Sequence, residues 1–317
     1  MNETHLRQAV RRRVLAAGAA SLLLGTGHVR AQPATILTRA IPRSGEMLPV
    51  IGLGTAIVFD IGSDAARRAE RAAVLRTFVE GGARLIDTAP AYGSAESVLG
   101  DLTAELKLRE RTFLATKFSA RGRDGARAEL QASQRRLRSE KIDLLQRWNV
   151  GFADRAEVAD HLALAREWKA AGICRYLGVT HSQNQASANE RLIELLRTEK
   201  LDFIQINYSL AERSVEERLL AVARDTGTAV LVNLPFARAR LFRAVQGKSV
   251  PDWAAEFDAA TWGQFFLKYL LAHEAVNCVL PGTDKPEYML DNLAAGRGRL
   301  PDAAMRRRMA EFVAALL

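Results

Sequence analysis

From residue 50 onward the chain repeats one pattern eight times: a short run rich in β-branched residues, then a longer segment with helical spacing. The expected strands are VIGLGT (50–55), RLIDT (84–88), TFLATK (112–117), IDLLQRW (142–148), ICRYLGV (173–179), DFIQIN (202–207), AVLVN (229–233) and VNCVLP (276–281). Helical stretches fill the gaps. SDAARRAERAAVLRTFVEGG (63–82) carries Ala72, Leu75 and Val79 on one face, and SVEERLLAVARDTG (214–227) opens on a Ser cap with Glu217 three residues later. Eight β-then-α units without a composition break predict a closed α/β barrel, the (β/α)₈ TIM type. A doubly wound open sheet calls for a Gly-rich phosphate loop after its first strand, and GLGTAI (52–57) lacks the third glycine. TILTRAIPRSGEMLPV (35–50) reads as a hairpin plugging the barrel's N-terminal end, and the irregular stretch 235–260 as a long loop of the kind that is usually functional.

Barrels of this type do their chemistry where the strands end. Those ends hold Asp87 with Tyr92 behind it, Lys117, Gln146 to Asn149, Thr180-His181, Gln205, Asn207-Tyr208, Asn233, and Pro281-Gly282-Thr283. An acid and a lysine on adjacent strands can meet, and each is tolerable when buried only as a pair. A nearby ammonium favours the phenolate of a tyrosine, whose unperturbed pKa is near 10. Asp87, Lys117 and Tyr92 therefore fit a general acid that protonates an oxygen as negative charge develops on it. They fit equally a salt bridge between two strands with Tyr92 packed beside it. The rim lacks the cluster of His and acid ligands that a metal-dependent hydrolase needs.

Residues 1–31 read as an export signal, with 32–317 as the barrel. Arg11-Arg12-Arg13 precede a short apolar run, Val14 to Gly25, and a small-residue cleavage pattern, Val29-Arg30-Ala31. The run is too short to span a bilayer. The paired arginines resemble a twin-arginine signal, although Val10 stands where such signals usually carry Ser or Thr. The expectation is a periplasmic or otherwise exported protein that meets the export machinery through this leader. Part of the formal net charge of +9 belongs to this segment, leaving about +5 elsewhere. The remaining basic residues alternate with acids and lack aromatic interleaving, which argues against nucleic-acid binding. Cys174 and Cys278 lie in apolar strands and read as free buried thiols.

DTAPAYGSAESVLG (87–100), TKF (116–118), DLLQ (143–146), GVTHS (178–182), QINYSL (205–210) and VLPGTDKPEYMLDN (279–292) together resemble the aldo-keto reductases over essentially all of the chain after the leader. The resemblance implies reduction of aldehydes or ketones, small-molecule carbonyl substrates, with a nicotinamide cofactor held without a Rossmann domain. It makes Tyr92 the proton donor, Lys117 the group that lowers its pKa, and Asp87 the anchor of Lys117. Trp148 stands at the fourth catalytic position, normally histidine. An indole N–H can donate a hydrogen bond but cannot relay a proton as imidazole does, and its bulk should narrow the pocket. By the same matching, Thr180, His181 and Gln205 would hold the carboxamide, with Asn233 where an aromatic often stacks on the nicotinamide. Gly282, Thr283, Lys285 and Asn292 would take the phosphate end. The resemblance favours NADP(H) as cofactor, but two cations expected at the 2′-phosphate are missing, with Lys285 the nearby substitute, which weakens that preference and leaves NAD(H) as the second cofactor. Trp148 and the leader also leave open a nucleotide-binding module, redox-sensing or scaffolding, with little turnover.

Overall fold

The computed structural model describes residues 35–183 and 185–317; the expected leader lies outside them. The barrel is built as expected. In chain order the elements are β1 (Thr38–Ala40), β2 (Met47–Pro49), β3 (Leu53–Gly54), α1 (Ala65–Glu80), β4 (Leu85–Asp87), α2 (Ala95–Glu105), β5 (Phe113–Phe118), α3 (Gly122–Leu137), β6 (Ile142–Arg147) and α4 (Arg155–Ala170). They continue with β7 (Cys174–His181), α5 (Ala186–Thr198), β8 (Phe203–Asn207), α6 (Leu219–Asp225), β9 (Ala229–Asn233), α7 (Arg240–Ala244), α8 (Trp262–Leu271), β10 (Val276–Val279), α9 (Pro286–Ala295) and α10 (Ala303–Ala314). Strands β3 to β10 pair in parallel in sequence order. Parallel bridges Ile51 to Val279 and Gly54 to Gly282 close the ring.

Side chains alternate along each strand, so the sheet serves two cores. Leu85, Phe113, Leu144, Tyr176, Phe203, Leu231 and Cys278 fill the interior, and Ile41 and Leu48 from the β1–β2 hairpin join that cluster. The hairpin is therefore the plug that the sequence led us to expect. The opposite rows, among them Ile86, Leu145, Val179, Ile204, Val230 and Val279, pack under the helices. Closure needs a residue without a side chain: a Cβ on Gly52 would lie 2.5 Å from Leu280 Cδ2 and 2.9 Å from the Leu85 carbonyl. Cys174 and Cys278 are buried free thiols, and burial pushes the Cys174 thiol up to about 12.

Two local expectations change. The segment 214–227 is not one helix: Ser214–Glu216 form a 3₁₀ turn without a side-chain cap, and Arg218 (φ −146°) breaks the chain before α6. The stretch 235–260 is less irregular than its sequence implied, holding α7 and a 3₁₀ segment at Asp252–Phe257. Trp253 anchors that segment against Phe257, Phe265 and Phe312. Among the described residues no helix is long and apolar enough to cross a membrane.

Candidate active site

Asp87 and Lys117 both belong to inward-facing rows and both end in the barrel mouth. The Lys117 ammonium donates to Asp87 Oδ1 (2.7 Å), Asp87 Oδ2 (2.8 Å) and the Thr88 carbonyl (2.8 Å). The ammonium is 1% exposed, and the Tyr92 hydroxyl is a further hydrogen-bonding neighbour. The ion pair is thus buried and satisfied, the condition under which such a pair is stable. Burial disfavours the ammonium, but Asp87 and Tyr92 together outweigh this and raise the Lys117 pKa.

Tyr92 is half-buried in the loop after β4, with the Lys117 ammonium 5.1 Å from its ring centroid. The loop is held from three directions. Asp60 accepts from the Ser94 backbone and hydroxyl, each at 2.8 Å. Gly93 adopts φ +57°, and a Cβ there would lie 2.4 Å from the Asp60 carboxylate, so a side chain would be strained and would displace Asp60. Behind it Glu96, 1% exposed, accepts from Thr116 Oγ1 (2.6 Å) and Arg136 Nε (2.8 Å), tying the first turn of α2 to β5. The charge of Lys117 lowers the Tyr92 pKa as expected, but burial is the larger effect and the net direction is up. The phenol is therefore protonated at neutral pH, as a proton donor must be.

Trp148 packs edge-on to Tyr92, with ring centroids 6.0 Å apart at 87°. It is held from the rear by Arg147, which turns outward, donates to the Trp148 carbonyl and places Nε 2.8 Å from His161 Nδ1. His161 is completely buried, and burial, reinforced by the charge of Arg147, lowers its pKa.

Thr180 and Gln205, both 1% exposed, lie in register on the inward rows of β7 and β8. Asn207 and Asn233 are paired one step nearer the mouth. His181, adjacent to Thr180, takes the opposite face. Its Nδ1 accepts from the Gly151 backbone at 3.3 Å and its ring lies edge-on to Phe152 under the β6–α4 loop, with Nε2 buried and without a hydrogen-bond partner among the described residues. Gln146 Oε1, Asn207 Oδ1, Asn233 Oδ1 and the Ser209 hydroxyl are buried without hydrogen-bond partners among the described residues. Buried oxygens of this kind call for a donor, and a ligand bearing an amide N–H fits.

At the neighbouring edge Gly282 and Thr283 follow β10. Asn292 Nδ2 donates to Thr283 Oγ1 at 2.9 Å, so Asn292 orients the threonine. Lys285 precedes α9, exposed, with its ammonium 5.7 Å from the Tyr288 ring. Arg71 reaches the same edge, but donates to the Val58 carbonyl (2.6 Å) and the Asp284 carbonyl and so joins two loops.

Sequence reasoning placed Gln146 at a strand end without giving it a role and did not single out Glu96, although both stand inside quoted motifs; an acid in the first turn of a helix and an amide at a strand end were the available signals. Backbone strain is also concentrated at this rim. Ile57, Asn149, Leu234, Ala237, Arg238 and Ala239 have φ between +48° and +67°, a conformation that non-glycine residues adopt at a cost and mainly at functional sites.

A profile of the Aldo/keto reductase family matches residues 50–310. Methylglyoxal reductase YeaE of Escherichia coli (strain K12) is 32% identical over 248 residues, spanning 76% of this chain and 84% of that protein. NADH-specific methylglyoxal reductase of the same organism is 26% identical over 282 residues, spanning 73% and 84%. Among solved structures, an aldo-keto reductase from Klebsiella pneumoniae in complex with NADPH superposes with a TM-score of 0.72 at 25% identity, over 89% of this chain and 95% of that one. The chain belongs to the aldo/keto reductase family.

Proposed function

We propose that this protein is an exported NAD(P)H-dependent reductase of small aldehydes and ketones, with α-oxoaldehydes of the methylglyoxal type among its substrates. The observation that carries the reading is the Lys117 ammonium, locked on Asp87 and Thr88 with the Tyr92 ring beside it. Reduction leaves negative charge on the carbonyl oxygen, and the Tyr92 hydroxyl is the donor that quenches it. Lys117 stabilises the phenolate left behind, and Asp87 keeps Lys117 from swinging into solvent. Trp148 walls the pocket beside Tyr92 and leaves room for short, unbranched substrates. A reduced nicotinamide, when bound, supplies the hydride. Thr180, Gln205, His181 through its unpaired Nε2, and the unpaired oxygens of Asn207 and Asn233 would hold its carboxamide. Gly282, Thr283 and Lys285, with Asn292 behind Thr283, would hold the phosphate end, NADP(H) being favoured through Lys285 and NAD(H) admitted.

The relatives support the substrate class, since two are methylglyoxal reductases. The test is oxidation of NADPH and of NADH by the purified protein with methylglyoxal and a panel of aldehydes. Turnover on short aldehydes exceeding that on branched ketones is expected, and no turnover on any member with either cofactor would refute the reading. Export is tested by fractionating cells that express the full chain: the protein should appear outside the cytoplasm and be retained inside when Arg11 and Arg12 are both changed to Lys.

A further inference from the structure

An inward-facing layer near the mouth of the barrel is polar. Asp87 of β4, Gln146 of β6 and Gln205 of β8 come from alternate strands and are 4%, 0% and 1% exposed. Inner layers of such barrels are usually filled by branched apolar side chains, and the layer beneath is apolar here, with Leu85, Leu144 and Phe203. Gln146 joins the other two members. Its Nε2 donates to Asp87 Oδ1 at 3.3 Å and to Gln205 Oε1 at 3.4 Å, which spends both hydrogens.

Two consequences follow. Asp87 receives a donor from β6 in addition to the lysine from β5, so its carboxylate is fixed from two sides. Gln205 is fixed in sense as well as in place. An amide between apolar neighbours has no preferred end, but one whose oxygen accepts from Gln146 must keep its own N–H₂ for another partner. Gln205 Nε2 has no acceptor among the described residues, and Gln205 lies in register with Thr180. Gln205 is thereby set as a donor.

We propose that Gln146 is a positioning residue that aligns the two halves of the site, holding Asp87 under Lys117 and turning the Gln205 amide to donate into the mouth. The inference rests on the reading above, in which a nicotinamide carboxamide occupies that mouth. An unfixed Gln205 would meet the ligand in the wrong sense part of the time, and Asp87 would lean fully on Lys117.

The test compares the full chain with Gln146→Met, which keeps volume and removes both donors. Three quantities are read: NADPH dissociation constant by fluorescence, melting temperature, and the pH profile of kcat/KM. The expected result is about five- to tenfold weaker NADPH binding, an unchanged or higher melting temperature, and a basic limb moved up by about half a pH unit. The double variant Gln146→Met/Gln205→Met should bind NADPH no more weakly than Gln205→Met alone. Wild-type affinity together with a wild-type basic limb in Gln146→Met, or additive losses in the double variant, overturns the proposal. Should Gln146→Met not fold, Gln146→Asn, which withdraws the amide by one methylene, is read by the same three measurements. Absence of both NADPH and NADH binding by the wild-type protein refutes the proposed function and this inference with it; normal binding unaffected by the variants refutes this inference alone.

Discussion

Lys117→Met separates the structural from the chemical role of the ion pair. The ammonium is 1% exposed and makes three hydrogen bonds, two of them to Asp87. Removing it leaves the Asp87 carboxylate, 4% exposed, with the single long bond from Gln146 Nε2 (3.3 Å). Breaking a buried pair in this way costs about 3–5 kcal/mol, because a charge is left without its partner. For a domain of this size that lowers Tm by roughly 6–10 °C. Asp87→Asn in the Lys117→Met background removes the stranded charge, so the double variant should regain about half of the lost stability. It should regain none of the activity, since Tyr92 still lacks its ammonium. The assay is a double-mutant cycle in Tm and urea midpoint, run beside kcat/KM for methylglyoxal. Additive stability losses, or a Lys117→Met protein as stable as wild type, would refute the claim that burial of this pair dictates the site.

Three further outcomes follow from the same geometry. Gly93→Ala places a methyl against Asp60 at φ +57°, so it should cost about 1–2 kcal/mol and lower kcat about tenfold by displacing Tyr92; differential scanning calorimetry and steady-state rates check both. Trp148→His removes the ring beside Tyr92 and should raise kcat/KM for branched and aromatic aldehydes relative to methylglyoxal, with an unchanged ratio counting against the wall. Burial raises the Tyr92 pKa from its ordinary 10. The reductive rate should therefore hold through neutral pH and fall only above that value as the phenol ionises. For stability the sign is the reverse of a gain: between the ordinary and the raised pKa only the unfolded chain loses the proton, so folding weakens there.

The fold was legible because eight repeats of the same alternation leave few architectures. The trio was legible because strand ends are where barrel chemistry lies, which put Asp87 and Lys117 in adjacent rows. The surroundings of His181, in contrast, were beyond the sequence. One residue beyond Thr180, it faces the loop carrying Gly151 and Phe152. The net pKa of Tyr92 was also beyond the sequence, since it depends on how deeply the ring is buried, and spacing reports charge but not solvent. Gln146 was visible as a polar residue ending a strand, yet its role depends on two bonds to residues 59 positions away on either side. Residues 235–260 looked irregular because Leu234, Ala237, Arg238 and Ala239 take left-handed conformations without a glycine to announce them.

The central claim is that one phenol, buttressed by a buried ion pair, delivers the proton. Tyr92→Phe changes a single oxygen and leaves Lys117, Asp87 and the ring packing in place. The account predicts that this variant binds NADPH with wild-type affinity while kcat for methylglyoxal falls by about 10²–10⁴. A Tyr92→Phe protein that reduces methylglyoxal within threefold of the wild-type rate would contradict it.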